Sequence, residues 1–323
     1  MKNQKLMNDN RKYWQRRLNE AEKQRQKRDD RLDRQMQRMY DKAYRDIQKE
    51  LDAFYGRYMK RTGLSAEEVR KAAKSFDIEA FEERAKYYVE NRDFSPRANT
   101  ELALYNFKMR YNQLELLQAN LDLTLIELGA KEESAIKKAK LEEIKRTYKE
   151  NAGILGLSVP SEERLKQVAQ SAVNKPYYGA HFSERIWSGH INPLRKYLND
   201  RVSLTILAGQ SPELLARDLK KRFDVTTGEA RRLAVTEVSF METEAQKLSY
   251  VDAGFDRYGI QPEANACPQC RAIADECEAE GGFLTAGMNP GLNAPLFHPW
   301  CRCGTYPIMP RDELERLLSK WVY

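Results

Sequence analysis

Four cysteines and one histidine near the C-terminal end of the sequence have the types and spacing of metal ligands. They occur as Cys267-Pro-Gln-Cys270 and as His298-Pro-Trp-Cys301-Arg-Cys303. Zinc is bound tetrahedrally by thiolate and imidazole ligands at about 2.0–2.3 Å. The C-x-x-C run supplies two thiolates and the H-x-x-C-x-C run supplies the remaining ligands. The spacing therefore predicts a metal-binding clip that closes a long loop.

The spacing leaves open which four of the five donors bind the ion, because C-x-C and H-x-x-C pairs both reach a single metal. The fifth cysteine, Cys277, belongs to neither run and is predicted to be a bystander. Two other interpretations remain, namely reduced thiols without metal and a redox C-x-x-C pair. The redox motif usually opens a helix after a strand, and Pro268 between the thiols argues against it.

A catalytic zinc keeps one position open for water and needs a general base close by. The signatures of such sites, H-E-x-x-H and H-x-E with P-C-x-x-C, do not occur in the sequence, and neither does a phosphate-binding glycine loop. The nearest carboxylates belong to Asp275, Glu276 and Glu263. We therefore expect a closed structural zinc site and no enzymatic activity. A zinc-dependent hydrolase or nuclease acting on nucleic acid is one alternative.

Charge is distributed unevenly along the 323-residue chain, whose net charge is +7. Residues 1–50 hold 16 Lys and Arg against 9 Asp and Glu, so this basic N-terminal arm carries the whole excess. The arm is either a solvated helical face or a surface for double-stranded DNA or an acidic protein. No apolar run approaches the roughly 18 residues of a membrane span, and no signal segment begins the chain. We therefore expect reduced thiols and no membrane partner.

The N-terminal half, residues 1–152, is predicted to be an elongated all-helical module. Residues 5–62 lack proline, and their apolar residues recur at helical spacing. This stripe consists of Met36, Tyr40, Ala43, Ile47, Leu51, Phe54 and Tyr58. Further helices are predicted to start at Ser65 and Asp77 and to span 96–128 and 131–151, the last two separated by Gly129.

The C-terminal half, residues 153–323, is predicted to be an α+β domain in which several helices pack on a small sheet. Helices are predicted from Ser161, from Ser211-Pro212, from Thr226, through Trp187 to Ile206, and from Asp312. Strands are predicted at 255–260 and 304–308. The metal-binding segment, 263–308, has little apolar periodicity, so a metal would help to order it. The predicted fold class is thus mainly α with a small β element and long N-terminal helices.

Three motifs of the C-terminal half occur in an order that resembles a known family. They are Ala234-Val-Thr236-Glu237, then Tyr258-Gly-Ile260 before the C-x-x-C, then Asn293-Ala-Pro295-Leu-Phe-His298-Pro-Trp-Cys301-Arg-Cys303. Residues 155–308 thereby resemble the C-terminal domain of phage head morphogenesis proteins, the Mu F-like minor capsid protein family. The H-P-x-C-R-C element is the specific part. Val235 stands where the family pattern has an arginine, and the acid nearest to Cys267 on its N-terminal side is Glu263.

The run Arg11-Lys-Tyr-Trp14-Gln-Arg-Arg-Leu18 is similar to the start of minor head proteins of tailed phages. The resemblance implies a minor structural protein that is associated with the portal protein or the major capsid protein. It implies a place in the head interior of the virion, after assembly in the host cytoplasm, and a role in head morphogenesis and DNA packaging or ejection. A basic DNA-binding protein is the other alternative.

Overall fold

The computed structural model describes residues 2–58, 87, 90–91, 96–158, 160–208 and 212–309, and these residues are mainly helical. Long N-terminal helices precede a small antiparallel sheet, which confirms the predicted fold class. The predicted helix starts at Ser65 and Asp77 and the predicted final helix from Asp312 lie outside the described residues.

The first helix, α1, spans Lys2–Tyr58. The predicted apolar stripe is buried at each position whose side chain is described, namely Met36, Tyr40, Ala43, Ile47 and Leu51. The same face continues toward the N terminus with charged residues, and Arg25 and Asp29 are buried as well. One face of the basic arm is therefore buried, because charged side chains such as Arg25 and Asp29 pack against the rest of the protein.

The second helix, α2, spans Pro96–Ile154 without a break, so the predicted interruption at Gly129 is wrong. The absence of a side chain at Gly129 allows Ile191 and Trp187 to pack directly against the α2 backbone. A Cβ atom at this position would lie 2.8 Å from Cγ1 of Ile191 and 3.0 Å from the Trp187 ring. A single glycine costs a helix only about 1 kcal/mol relative to alanine, which tertiary contacts readily offset.

The helices that follow are α3 (Glu162–Val173), α4 (Phe182–Glu184), a π-helical stretch (Arg185–Ile191), α5 (Asn192–Ala208) and α6 (Pro212–Asp252). Ser161 caps α3 as predicted, since its hydroxyl accepts a hydrogen bond from the Arg164 amide at 3.2 Å. The predicted helix start at Thr226 is wrong, because α6 continues through it. The hydroxyls of Thr226 and Thr227 donate to carbonyls one turn earlier and so act inside the helix.

The sheet has three antiparallel strands in the order β2–β1–β3. These strands are β1 (Arg257–Gln261), β2 (Phe283–Leu284) and β3 (Gly304–Ile308). Between β1 and β2 lies a helix that the sequence reasoning missed, α7 (Pro268–Ala279), and a 3-10 turn (Thr285–Gly287) follows β2. β1 and β3 occur where strands were predicted, within two residues, whereas no strand was predicted at β2.

The chain forms two compact units, each made of separate segments. The first unit comprises Met1–Gln37, Lys131–Ile186 and Gly228–Tyr323, and the second comprises Arg38–Ala130 and Trp187–Thr227. The first unit contains the sheet, and its apolar core includes Tyr258, Met241 and four of the cysteines. The predicted boundary at 152/153 falls within one segment of the first unit. Among the described residues, no helix has the length and apolar character that crossing a bilayer requires.

Candidate metal centre

Cys267 and Cys270 are positioned by the start of α7. Cys267 is the N-cap residue with extended backbone angles, and Pro268 occupies the first helical turn, where its missing amide hydrogen costs nothing. The Cys267 sulfur accepts a hydrogen bond from the Cys270 amide at 3.5 Å. Cys270 itself is buried one helical turn later. The helix start thus orients both sulfurs toward the same point.

His298 and Cys301 are the first and last residues of a tight turn. The Cys301 amide donates to the His298 carbonyl oxygen at 3.1 Å. Pro299 occupies the second turn position, and Trp300 occupies the third with φ of +66°. Proline followed by a residue of positive φ is the pattern of a type II turn, whose third residue is usually glycine. A tryptophan held in this region is strained, so the surrounding structure must fix the turn.

The sheet register brings the two segments together. Gln261, the last residue of β1, lies opposite Gly304, the first residue of β3. The segment that leaves β1 toward α7 and the segment that enters β3 from Cys303 therefore lie at the same end of the sheet.

All five predicted donors lie in one cluster that could hold a metal ion. Cys267, Cys270 and His298 form one group, and Cys270, Cys301 and Cys303 form a second, with the ligand atoms of each group within 4.8 Å of one another. Cys270 is the donor common to both groups. Its sulfur lies 3.2 Å from His298 Nε2 and 3.8 Å from the Cys301 sulfur.

These two distances are close to the edge lengths of a tetrahedral zinc site. With zinc–sulfur bonds of 2.3 Å and zinc–nitrogen bonds of 2.0–2.1 Å, the edges of the tetrahedron are about 3.8 Å between sulfurs and about 3.6 Å between sulfur and nitrogen. The observed 3.8 Å and 3.2 Å separations need at most a small adjustment to reach those values. The donor set of soft thiolates and one imidazole also suits zinc.

The protein environment favours the thiolate form at two cysteines. A hydrogen bond from the Cys303 thiol, supported by backbone amides of Cys303 and Phe297, lowers the pKa of Cys301. The backbone amide of Cys270 lowers the pKa of Cys267, as expected for a sulfur at a helix N-terminus. Burial raises the pKa of Cys270 to about 12. A cation beside Cys270 would offset that effect by stabilising its thiolate.

The ring orientation of His298 leaves Nε2 directed at the cluster. Nδ1 lies 2.8 Å from the Pro299 carbonyl oxygen and donates to it, which fixes the tautomer with an unprotonated Nε2. The same carbonyl is the main reason that the pKa of His298 is raised. This arrangement, with one ring nitrogen bonded to a backbone carbonyl and the other facing sulfur ligands, is typical of metal-binding histidines.

The remaining candidates lie outside both donor groups. Cys277 is buried on α7, where its thiol lies 3.5 Å from the Tyr258 carbonyl oxygen. Neither His181, at the start of α4, nor His190, in the π-helical stretch, joins a donor group. The carboxylate residues considered from the sequence, Asp275, Glu276 and Glu263, are exposed. Within the described part of the chain, neither donor group includes a carboxylate.

The helix opened by the C-x-x-C run removes the argument against a redox pair, because the motif does follow a strand and does begin a helix. A cysteine N-cap with proline at the next position was the available signal for that helix. The metal interpretation now rests on another feature, since an imidazole and a third thiol lie within 3.2 Å and 3.8 Å of Cys270. A redox pair formed by Cys267 and Cys270 would need neither this imidazole nor this third thiol.

Comparison of the chain with protein-family models, with curated proteins and with solved structures finds no match. The resemblance to the Mu F-like minor capsid family therefore stays a prediction that rests on the sequence motifs.

Proposed function

We propose that the Cys/His cluster binds one structural zinc ion that holds the first unit folded. The observation that supports this is the position of Cys270, which shares one donor group with Cys267 and His298 and a second with Cys301 and Cys303. Four of the five would coordinate the ion, and the fifth would lie beside it. A bound zinc ion supplies a cross-link and no reactive group here, because four protein donors leave no position for water.

The physical role of the ion follows from the segment that it closes. Residues 288–303 contain no helix or strand, although apolar side chains such as Leu296 and Phe297 are buried in the core. A metal cross-link would therefore add to burial in ordering this segment. Structural zinc contributes on the order of 10 kcal/mol of folding free energy in small zinc domains. Removing a ligand is therefore expected to unfold this part of the protein.

The metal proposal is tested by comparing Cys270→Ser with Cys277→Ser. Both remove a buried thiol, but only Cys270 belongs to the donor groups. We expect one zinc per chain by elemental analysis in the wild type and in Cys277→Ser, and far less in Cys270→Ser. A wild-type protein purified without zinc, whose thermal stability does not change when a chelator is added, would contradict the proposal.

We further propose that the chain is a minor structural protein of a tailed-phage head, without enzymatic activity, acting in head morphogenesis and DNA packaging or ejection. The H-P-x-C-R-C motif and its family resemblance support this, and the cluster geometry is compatible with it. The portal protein or the major capsid protein would be its partner, in the head interior. Mass spectrometry of purified particles before and after DNA release tests this. A chain never found in particles would refute it.

A second candidate function, binding of double-stranded DNA, is favoured by the charge distribution on α1. Between residues 12 and 37, seven basic side chains are exposed against two acidic ones, whereas the acidic Glu22, Asp29 and Asp33 form ion pairs within the first unit. The exposed basic residues are Lys12, Arg16, Arg17, Lys23, Lys27, Arg31 and Arg34. Folding thus buries or pairs most of the acidic side chains of this segment, and the solvent-exposed face of α1 carries a net positive charge.

DNA binding is tested by its salt dependence. Each phosphate contact contributes about 0.9 to the slope of log K against log salt concentration. Replacing Lys23, Lys27 and Arg31 by glutamine should reduce that slope by up to about 3. The matched control replaces Lys137, Lys138 and Lys166, which are exposed on α2 and α3 and change the net charge equally. Equal slopes for the two triple variants would argue against binding by α1.

A further inference from the structure

Arg302 lies between Cys301 and Cys303, and both its side chain and its backbone contact α1. The guanidinium Nη1 donates to Asp29 Oδ2 and lies 3.6 Å from Glu22 Oε1. The Arg302 carbonyl oxygen accepts a hydrogen bond from Arg25 Nη2 at 3.1 Å. Residues of α1 therefore bind both polar ends of the residue between the two cysteines.

The contacting residues of α1 occupy one face of that helix. Glu22, Arg25 and Asp29 follow one another at steps of three and four, which places them in line along the helix. One turn earlier, Leu18 approaches Gly304 so closely that a Cβ atom on Gly304 would lie 3.1 Å from Leu18 Cδ2. The contact thus extends over three helical turns, from Leu18 to Asp29.

The ionic part of this contact is buried and needs a fixed geometry. The side chain of Asp29 is 5% exposed and that of Arg302 is 16% exposed. Arg25 also donates to Glu242 Oε2 of α6 at 2.9 Å and forms an ion pair with Glu22. Burying such charges is costly unless each one meets its partner in good alignment. Displacement of Arg302 would leave Asp29 buried without its main cation.

The position of Arg302 depends on the residues beside it. Within the described chain, residues 288–303 form no helix or strand, so no regular hydrogen-bond ladder holds Arg302 in place. Cys301 precedes it and Cys303 follows it, and both belong to the same donor group. A metal ion bound in that group would fix the backbone on at least one side of Arg302.

We propose that Arg302 is a positioning residue that couples metal binding to the docking of the N-terminal helix. A bound ion holds the Cys301–Cys303 backbone, and Arg302 then holds the Leu18–Asp29 part of α1 on the first unit. Loss of the ion releases this part of α1, which carries exposed basic side chains. The inference rests on the proposed metal site and adds to it a function outside the ligand shell.

Hydrogen exchange of the full-length, zinc-loaded protein, followed by mass spectrometry, tests the coupling. We expect amides of residues 18–29 to exchange faster by roughly tenfold or more after zinc removal, the factor that corresponds to losing a hydrogen bond between charged groups. Arg302→Gln should give the same acceleration while the zinc content stays at the wild-type level. Amides of α7 should remain protected in Arg302→Gln, because the donors are intact.

Asp29→Asn breaks the same contact from the side of the helix, away from the metal. It should accelerate exchange at residues 18–29, and the double variant with Arg302→Gln should be no faster than either single variant, since both remove one interaction. Arg271→Gln is the matched control, because Arg271 bonds the Ala266 carbonyl at 2.9 Å within the same segment of the first unit. That variant should leave exchange at residues 18–29 unchanged.

Failure of the metal proposal and failure of this inference give different results. A wild-type protein without zinc overturns both. Zinc-loaded protein in which Arg302→Gln leaves residues 18–29 protected overturns the coupling alone. Loss of zinc in Arg302→Gln, or additive effects in the double variant, also overturns it, because Arg302 would then act on the metal site or independently of Asp29.

Discussion

A fully buried ion pair joins α2 to α6 in the first unit. Lys140 Nζ lies 2.6 Å from Glu237 Oε2, and both side chains are almost completely inaccessible to solvent. Arg185 lies 3.4 Å from the other carboxylate oxygen, and Lys140 also lies 4.5 Å from the centre of the Phe182 ring. Glu237 ends the Ala234-Val-Thr236-Glu237 motif, so in this structure that glutamate neutralises the buried Lys140 and also pairs with the partly exposed Arg185. Burial lowers the pKa of Lys140.

We predict that Glu237→Gln destabilises the protein by about 3–5 kcal/mol, because it leaves Lys140 buried without its carboxylate. Urea unfolding measures the change. The double variant Lys140→Met with Glu237→Gln should recover part of the loss, since no lone buried lysine remains. Lys138→Met is the exposed control, as its pair with Glu142 is open to solvent and should change stability by less than about 1 kcal/mol. A Glu237→Gln protein as stable as Lys138→Met would contradict this account.

The carboxyl group of Asp29 should make stability depend on pH. Burial raises its pKa from 3.8 to about 6, although Arg302 and Arg25 act in the opposite direction. Because the pKa of the folded state exceeds that of the unfolded chain, this group stabilises the fold at acid pH. The contribution is present in full below pH 3.8 and is lost as the pH rises through 6.

The expected result is a pH-dependent difference in unfolding free energy between the wild type and Asp29→Asn, measured with saturating zinc. The advantage of the wild type should decrease by roughly 1 kcal/mol between about pH 5 and about pH 7. Asp30→Asn removes the neighbouring exposed carboxylate and reports the effect of the charge change itself. A difference that stays constant, or grows, with rising pH would show that Asp29 is not buried in this way.

At the scale of elements, the pairing of β1 with β3 depends on a glycine opposite an aromatic ring. Gly259 pairs with Tyr306, and a Cβ atom at position 259 would overlap the Tyr306 ring. The Tyr306 ring therefore fills the space above Gly259. Pairing of an aromatic ring with a glycine on the neighbouring strand favours this register of β1 and β3 over shifted ones. The same register places the segments of the candidate donors at one end of the sheet, so the geometry of the candidate metal centre depends on it.

Gly259→Ala should destabilise the protein by about 1–3 kcal/mol through overpacking. Tyr306→Ala in the same chain should recover part of that loss by removing the overlapping ring. Gly287→Ala is the control, because a Cβ atom there meets nothing within 4 Å. Denaturant unfolding compares the variants. If Gly259→Ala and Gly287→Ala were equally stable, the close approach of Tyr306 would be refuted.

At the scale of the whole molecule, the proposed ion acts on the first unit, since every donor belongs to it. Two arginines flank the donors, Arg271 on α7 and Arg302 beside Cys301. Both are sites for trypsin. A segment ordered by metal resists cleavage, because proteolysis requires local unfolding of the chain around the bond.

We predict that zinc removal exposes both of these sites. Tryptic cleavage after Arg271 and Arg302, quantified by mass spectrometry, should increase at least about tenfold when a chelator is added. Cleavage after Lys196 and Lys220, which belong to the second unit, should not change. The same chelator presaturated with zinc is the control. Equal acceleration at all four sites would mean that the ion stabilises more than the first unit.

Local patterns in the sequence were sufficient for the positions of most elements and for the cysteines and histidine that the fold brings together. The apolar spacing of α1, the Ser161 cap and the strands around the cysteines depend on neighbouring residues, and these are visible in the linear chain. The five donors were identified for the same reason, since thiolates and imidazoles are recognisable by type and spacing. Gly129 and Thr226 were misread as breaks, because tertiary contacts override weak helix propensities.

Only the tertiary structure decided what the charged residues do. From composition, residues 1–50 form a basic arm, and nothing local distinguishes Arg25 and Asp29 from their solvated neighbours. Their partners, Glu242 and Arg302, lie more than 200 residues away, and such pairs form only after the chain has folded. The candidate donors could be recognised in the sequence from their side-chain chemistry and spacing. The contact between α1 and Arg302 could be identified only from the folded structure.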